Sequence, residues 1–195
     1  MEYIIGIDEV GRGSSIGELT VCGIRADINW KLEGLADSKQ LSKTKRNELN
    51  KQLLQEVKEG IITYAIVSKS NEEIDEIGLG ICLKQSYVEV IQALYQPNDQ
   101  VILDGNLSPK YLLEYGLRDI SGIKSEIKAD TKIPTVMAAS IIAKVYRDSL
   151  VENEYHPKYP HYEWNKNMGY LSTGHRETIK EFGLSPLHRR SFKII

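Results

Sequence analysis

Two apolar runs that stop abruptly on acidic residues constrain this chain most. Tyr3-Ile4-Ile5-Gly6-Ile7 ends at Asp8-Glu9, and Gln100-Val101-Ile102-Leu103 ends at Asp104. Both are too short for helices and lack an apolar–polar alternation, so they read as strands buried on both faces. Strands of that kind belong to sheets with helices on either side. Leu19 to Ala26, Ile61 to Val67 and Ile120 to Ile127 read as further strands, the first two strands being joined through the glycine-bearing segment Gly11 to Gly17. Helical spacing follows Ser42, an N-cap, to about Lys58, with Leu49, Leu53, Leu54 and Val57 on one side and Gly60 as the stop. A second helical stretch, capped by Ser70 or Asn71, runs to Leu94 and is loosened around Gly78 and Gly80. Pro134 to about Glu152 is a third, with the small residues Ala138 and Ala139 on its apolar face. Thr173 to Phe182, and a segment from Pro186 onward, read as short terminal helices. The order predicts an α/β domain built on a mixed five-stranded sheet flanked by helices, residues 1–155, with residues 156–195 as a C-terminal helical extension packed on it.

The length of 195 residues suits one such domain, and no apolar stretch is long enough to span a bilayer. The start Met1-Glu2-Tyr3-Ile4-Ile5-Gly6 lacks the basic and apolar regions of a signal peptide, so a cytoplasmic protein is expected. Cys22 and Cys82 lie in apolar surroundings and read as small buried residues. A net charge of −2 argues against a protein that coats nucleic acid by electrostatics alone. It leaves room for local basic patches: Lys39, Lys43, Lys45 and Arg46; Lys124, Lys128 and Lys132; Lys144 and Arg147; His188, Arg189 and Arg190.

Asp8, Glu9 and Asp104 close strands, and Asp130 follows the fifth strand in Lys128-Ala129-Asp130-Thr131. Ligands of open α/β sheets usually bind at the carboxyl ends of strands. Carboxylates gathered there repel one another, and a hard divalent cation such as Mg²⁺ or Mn²⁺ relieves that repulsion. The same acids could instead cap helices or pair with lysines, and spacing alone leaves both readings open. Adjacent strand residues face opposite ways, so Asp8 and Glu9 converge only if the strand bends or ends there, which Gly11 and Gly13 permit. No zinc-type Cys/His spacing occurs, Gly11-x-Gly13-x-x-x-Gly17 is too long for a dinucleotide fingerprint, and Lys39 lies outside any Walker-A frame.

The residues themselves go further. Gly6-Ile7-Asp8-Glu9-Val10-Gly11-Arg12-Gly13 resembles the opening motif of the type 2 ribonucleases H (ribonuclease HII). Asp37-Ser38-Lys39-Gln40-Leu41-Ser42, Leu103-Asp104-Gly105, and Lys128-Ala129-Asp130 followed by Ala138 to Asp148 resemble later blocks of that family in the same order. Tyr159-Pro160, Asn167-Met168-Gly169-Tyr170, His175 and His188-Arg189-x-Ser191-Phe192 resemble its bacterial C-terminal pattern. The resemblance implies a ribonuclease-H-like fold. It also implies an endonuclease that cuts RNA in RNA–DNA hybrids and nicks 5′ to single ribonucleotides in duplex DNA. Asp8, Glu9, Asp104 and Asp130 would hold two Mg²⁺ or Mn²⁺ ions, roughly 4 Å apart, about the scissile phosphate. It further implies that the backbone of Gly11, Arg12 and Gly13 meets the ribose 2′-hydroxyl, which separates RNA from DNA. Tyr170 would stack on the adjoining sugar, and Lys39, Lys144 and Arg147 are candidate phosphate contacts.

The chain departs from the family at Ser14 and at Gly17-Glu18, where proline is usual at Ser14 and Glu18; a looser loop is the expectation there. Tyr146 stands where threonine is common. A type 3 ribonuclease H, a non-catalytic hybrid-binding module and a junction resolvase of similar fold are the alternatives. A monomer is expected, and the tail Ser191-Phe192-Lys193-Ile194-Ile195 carries no evident clamp-recruitment motif.

Overall fold

The computed structural model describes residues 2–194; Met1 and Ile195, the ends of the start and tail read above, lie outside them. Its centre is β1 (Tyr3–Val10), paired antiparallel with β2 (Leu19–Asp27). β2 pairs antiparallel with β3 (Thr63–Lys69). On the other side, β1 runs parallel to β4 (Gln100–Asp104), and β4 runs parallel to β5 (Ile123–Glu126). The sheet order is β3-β2-β1-β4-β5, the mixed five-stranded sheet expected.

Alternation along the strands decides what lies on each face. Ile5 and Ile7 of β1 join Val21, Val101 and Leu103 in a core closed by α3 (Leu79–Leu94) through Tyr87, Val90 and Leu94. Cys22, Ile24 and Ala26 of β2 face the opposite way, onto Leu49 and Leu53 of α1 (Lys43–Lys58) and Ala138, Ala139, Ile141 and Ile142 of α4 (Pro134–Leu150). Gly6 belongs to this second face. A side chain there would overlap the backbone of Thr135 and Val136, so the lack of one lets α4 cross β1 closely. The short α2 (Asn71–Ile77) is separated from α3 at Gly78.

Helix ends follow local chemistry. Ser42 accepts the Lys45 amide at 3.2 Å to cap α1, and Ser70 forms a capping box with Glu73 on α2. β3 starts two residues later than the sequence suggests, because Gly60 and Ile61 donate back to Val57 and Glu56 and finish α1 first.

Beyond α4 the chain continues through a wide turn (Val151–Tyr155) into α5 (His156–Lys158), α6 (Trp164–Asn167) and α7 (Thr173–Phe182). Val151, Tyr162, Trp164, Ile179 and Ile194 form a third core, joined by Ile16 from the loop between β1 and β2. The helix expected from Pro186 is absent from the described residues. The Gly17 amide donates to Leu187, the Arg189 amide donates to Ser15, and Ile16 bridges His188, so this segment lies extended along the loop. Both cysteines are buried and free, and among the described residues no helix is long and apolar enough to cross a membrane.

Candidate active site

β1 does not end at the acid pair. Asp8 lies opposite Cys22 and Glu9 opposite Val21, so the strand carries both residues and their side chains leave on different faces. Asp8 shares the face of Gly6 and reaches the Ser140 hydroxyl on α4, which lies 2.7 Å from the hydroxyl of Ser38. Glu9 shares the face of Ile7, where the Tyr87 hydroxyl donates to it at 2.6 Å and Arg12 approaches at 3.4 Å. The bend that the sequence reading required is absent. The two carboxylates nevertheless border one cleft of about 180 Å³ at the end of the strand.

The parallel register brings Asp104 beside them, since Ile7 pairs with Leu103. Asp104 Oδ1 accepts the amides of Ala129 at 2.7 Å and Asp130 at 3.4 Å, and so fastens the turn that carries Asp130. Asp130 is buried and accepts the Lys39 ammonium at 3.1 Å. Burial, then the neighbouring Glu9 charge, pushes the Asp8 carboxyl up to about 7; the Ser140 hydrogen bond opposes this and Asp104 adds to it.

Among the described residues no three Asp, Glu, His or Cys side chains form a ready metal cage. Each acid accepts from the protein's own donors: Asp8 from Ser140, Glu9 from Tyr87, Asp104 from two amides, Asp130 from Lys39. The donor set still suits a hard divalent ion, being all oxygen and anionic, with a desolvated Asp8 at its centre and an ammonium already drawn to Asp130.

The loop after β1 separates its two glycines by role. Gly11 has φ +84°, and a side chain there would overlap the Arg147 guanidinium and the Glu18 carbonyl, so this glycine serves close packing from behind. Gly13 has no such constraint: an added Cβ would meet only the Tyr170 ring, at 3.7 Å, across the cleft. Arg12 is exposed. Lys144 borders the cleft while paired with Asp148 at 2.8 Å.

Arg147 is a correction. Expected as a phosphate contact, it is fully buried and its head points into the loop. It donates to the Ser14 hydroxyl at 2.7 Å, the Ile16 carbonyl at 3.1 Å, and the carbonyls of Glu18 and Met168 at 3.3 Å. His188 and Arg189, of the last basic patch, are equally buried, and Arg189 donates to the carbonyls of Gly17 and Arg12. The departures from the family pattern do not loosen the loop either. Ser14 receives Arg147, and Glu18 accepts the Tyr155 hydroxyl at 2.6 Å.

Tyr87, Ser38 and Ser140 were not singled out as site residues. The serines stand inside recognisable blocks, but Tyr87 sits on an apolar helix face where sequence alone reads core. A larger cavity, about 590 Å³, lies against α6 and α7, lined by Glu163, Glu177 and Glu181 with Lys166, and shares Tyr170 with the cleft.

The family model described as Ribonuclease HII matches residues 5–195. Ribonuclease HII of Clostridium beijerinckii is 40% identical over 194 residues, 97% of this chain and 67% of that protein. Ribonuclease HII of Campylobacter jejuni subsp. doylei is 39% identical over 192 residues, 98% of this chain and 91% of that one. Among solved structures, the PCNA:RNase HII complex from Archaeoglobus fulgidus superposes with a TM-score of 0.79 at 31% identity, covering 98% and 96% of the two chains. This chain belongs to the ribonuclease HII family and is an endoribonuclease of the ribonuclease H class.

Proposed function

We propose that the chain hydrolyses the RNA strand of RNA–DNA hybrids and nicks duplex DNA on the 5′ side of a single embedded ribonucleotide, leaving 3′-hydroxyl and 5′-phosphate ends. The observation that carries this reading is one cleft in which Asp8 and Glu9 lie beside the exposed Gly13 backbone and the Tyr170 ring. A ribose seated there would meet the loop backbone with its 2′-hydroxyl and the tyrosine with its neighbouring sugar.

Asp8, Glu9, Asp104 and Asp130 would hold two Mg²⁺ or Mn²⁺ ions, which when bound supply transition-state charge stabilisation and an acidified attacking water. The chain's own residues prepare that arrangement. Ser140 and Tyr87 aim Asp8 and Glu9 from opposite faces of β1. Asp104 holds the turn that delivers Asp130. Lys39 and Lys144 stand at the cleft rim as ammonium groups for the phosphates on either side of the cut. The chemistry then needs no side-chain nucleophile. The remaining expectations, a cytoplasmic monomer with residues 156–195 as a C-terminal helical extension packed on a catalytic domain of residues 1–155, belong to the same proposal.

A duplex carrying one ribonucleotide, incubated with Mg²⁺ and separately with Mn²⁺, tests the reading. A nick 5′ to the ribonucleotide is the expected product. Asp104→Asn should abolish cleavage while binding of the hybrid survives, because the phosphate contacts remain. Turnover near wild type in that variant would remove Asp104 from the site. Cleavage confined to runs of ribonucleotides would favour a type 3 specificity instead.

A further inference from the structure

Tyr170 faces Gly13 across the cleft, and its ring is partly exposed, so its position depends on how its main chain is held. Its amide donates to the Asn167 carbonyl at 2.9 Å, and its own carbonyl accepts the Ser172 amide at 2.8 Å and lies 3.1 Å from Nδ1 of His175. The surroundings fix which nitrogen carries the proton. The Trp164 indole can only donate, and it lies 3.0 Å from His175 Nε2. Nε2 therefore accepts, and the proton sits on Nδ1, directed at the Tyr170 carbonyl. His188 is determined in the same way. The Ser185 amide donates to its Nδ1 at 2.9 Å, which leaves the proton on Nε2, 3.3 Å from Nε2 of His175.

Every donor in this chain thus points one way, from the Ser185 amide through His188 and His175 to Tyr170. Both rings are buried, and Tyr162 packs edge-on against them while stacking on Trp164. Two apolar side chains here would leave the Trp164 indole and the Ser185 amide without these acceptors, whereas the imidazoles satisfy both and pass a donor on to Tyr170. The relay also reaches the loop, because His188 bridges Ile16 and the next residue's amide holds Ser15.

We propose that His175 is a positioning residue for ribonucleotide recognition: its Nδ1–H holds the Tyr170 carbonyl, and so sets the Tyr170 ring at a fixed distance from Gly13. The proposal rests on the reading of Tyr170 as the sugar-sensing wall. Without the bond, the Tyr170 carbonyl keeps only the Ser172 amide, the turn is held on one side, and selectivity for a single embedded ribonucleotide over a long hybrid declines.

Three substitutions separate this from packing. His175→Asn keeps an amide nitrogen where Nδ1 stands. His175→Gln extends its amide toward the Nε2 position and away from the carbonyl. His175→Phe keeps volume with no donor. The readout is the ratio of kcat/KM on a single-ribonucleotide duplex to kcat/KM on a long hybrid, taken where circular dichroism shows each variant folded. The Asn variant should stay within about twofold of wild type, while Gln and Phe lose about five- to tenfold, the worth of one hydrogen bond. In a Tyr170→Ala background the three variants should cause no further loss. Nitrogen-15 spectra of the unsubstituted enzyme supply an arm independent of folding: His175 should be protonated at Nδ1 and His188 at Nε2. The opposite tautomers would overturn the proposal. So would an unchanged ratio in Gln and Phe alongside a lowered ratio in Tyr170→Ala, which leaves the reading of Tyr170 standing. A ratio untouched by Tyr170→Ala itself would remove that reading and this inference together.

Discussion

Replacing Arg147 by methionine distinguishes two opposite physical roles for the same residue. Methionine keeps most of the aliphatic length and deletes the guanidinium. The guanidinium makes four hydrogen bonds, to Ser14 Oγ, Ile16 O, Glu18 O and Met168 O, and has no exposed surface. Losing it takes a donor from each of these acceptors, at about 1–3 kcal/mol for any left unsatisfied out of reach of water, although the Ser14 hydroxyl still lies within reach of Ile16 O and Met168 O. Against this, the cation no longer has to be buried, which returns several kcal/mol. The net expectation is a loss of about 3 kcal/mol, the lower end for breaking a buried charged network. In a chain of this size that lowers Tm by roughly 6–12 °C. Urea unfolding measures the first quantity, and the salt dependence of hybrid binding measures the second. A surface arginine on a phosphate would contribute about 0.9 to the slope of log K against log salt and leave stability unchanged. A buried clamp does the reverse. A slope reduced by that amount, with a urea midpoint equal to wild type, would refute the burial argument.

The two loop glycines should part company in the same assays. Gly11→Ala places a side chain at φ +84° against Arg147 and should cost about 2 kcal/mol or more of stability. Gly13→Ala should leave stability within about 0.5 kcal/mol. It should nevertheless slow cleavage at a single ribonucleotide roughly a hundredfold by placing a methyl at the proposed ribose contact; equal activity would show that the Gly13 backbone is not used there. The buried histidines predict an acid-side loss of stability. Burial first, then His175, holds the His188 pKa down to about 4, with Arg190 acting in the same direction. His175 is lowered too, by burial and by Arg176, with Tyr162 and Trp164 packed on both rings. A depressed folded-state value means the unfolded chain takes up the proton first. The stabilisation is whole above about pH 6.5 and is lost as pH falls toward 4, up to about 3 kcal/mol. His188→Asn, which keeps an acceptor for the Ser185 amide, should flatten that decline in unfolding experiments between pH 7 and 5; a decline as steep as wild type would assign it to other groups.

The family blocks are contiguous in sequence, so several residues that border the cleft, Asp8 and Glu9, Gly11 to Gly13 and Tyr170, could be picked out without coordinates. The sheet was legible as well, because apolar runs and helix caps are local signals. Ser42 and Ser70 cap the helices expected of them, and Gln100 to Asp104 forms the strand expected of it. What sequence could not settle was the environment of each polar group, which depends on elements far apart in the chain. Lys39, Lys144 and Arg147 are all basic residues in recognisable blocks, yet only the lysines border the cleft. Arg147 is turned inward by a loop 130 or so residues earlier, where Ser14 Oγ and Ile16 O wait for it. The same is true of Tyr87, an apolar-face residue until Glu9 arrives from β1, and of His175, whose proton is placed by Trp164 and His188. Local pattern determined which elements form and which residues are present for chemistry. Tertiary packing decided which charges meet solvent, because burial and hydrogen-bond partners are properties of contacts between distant segments.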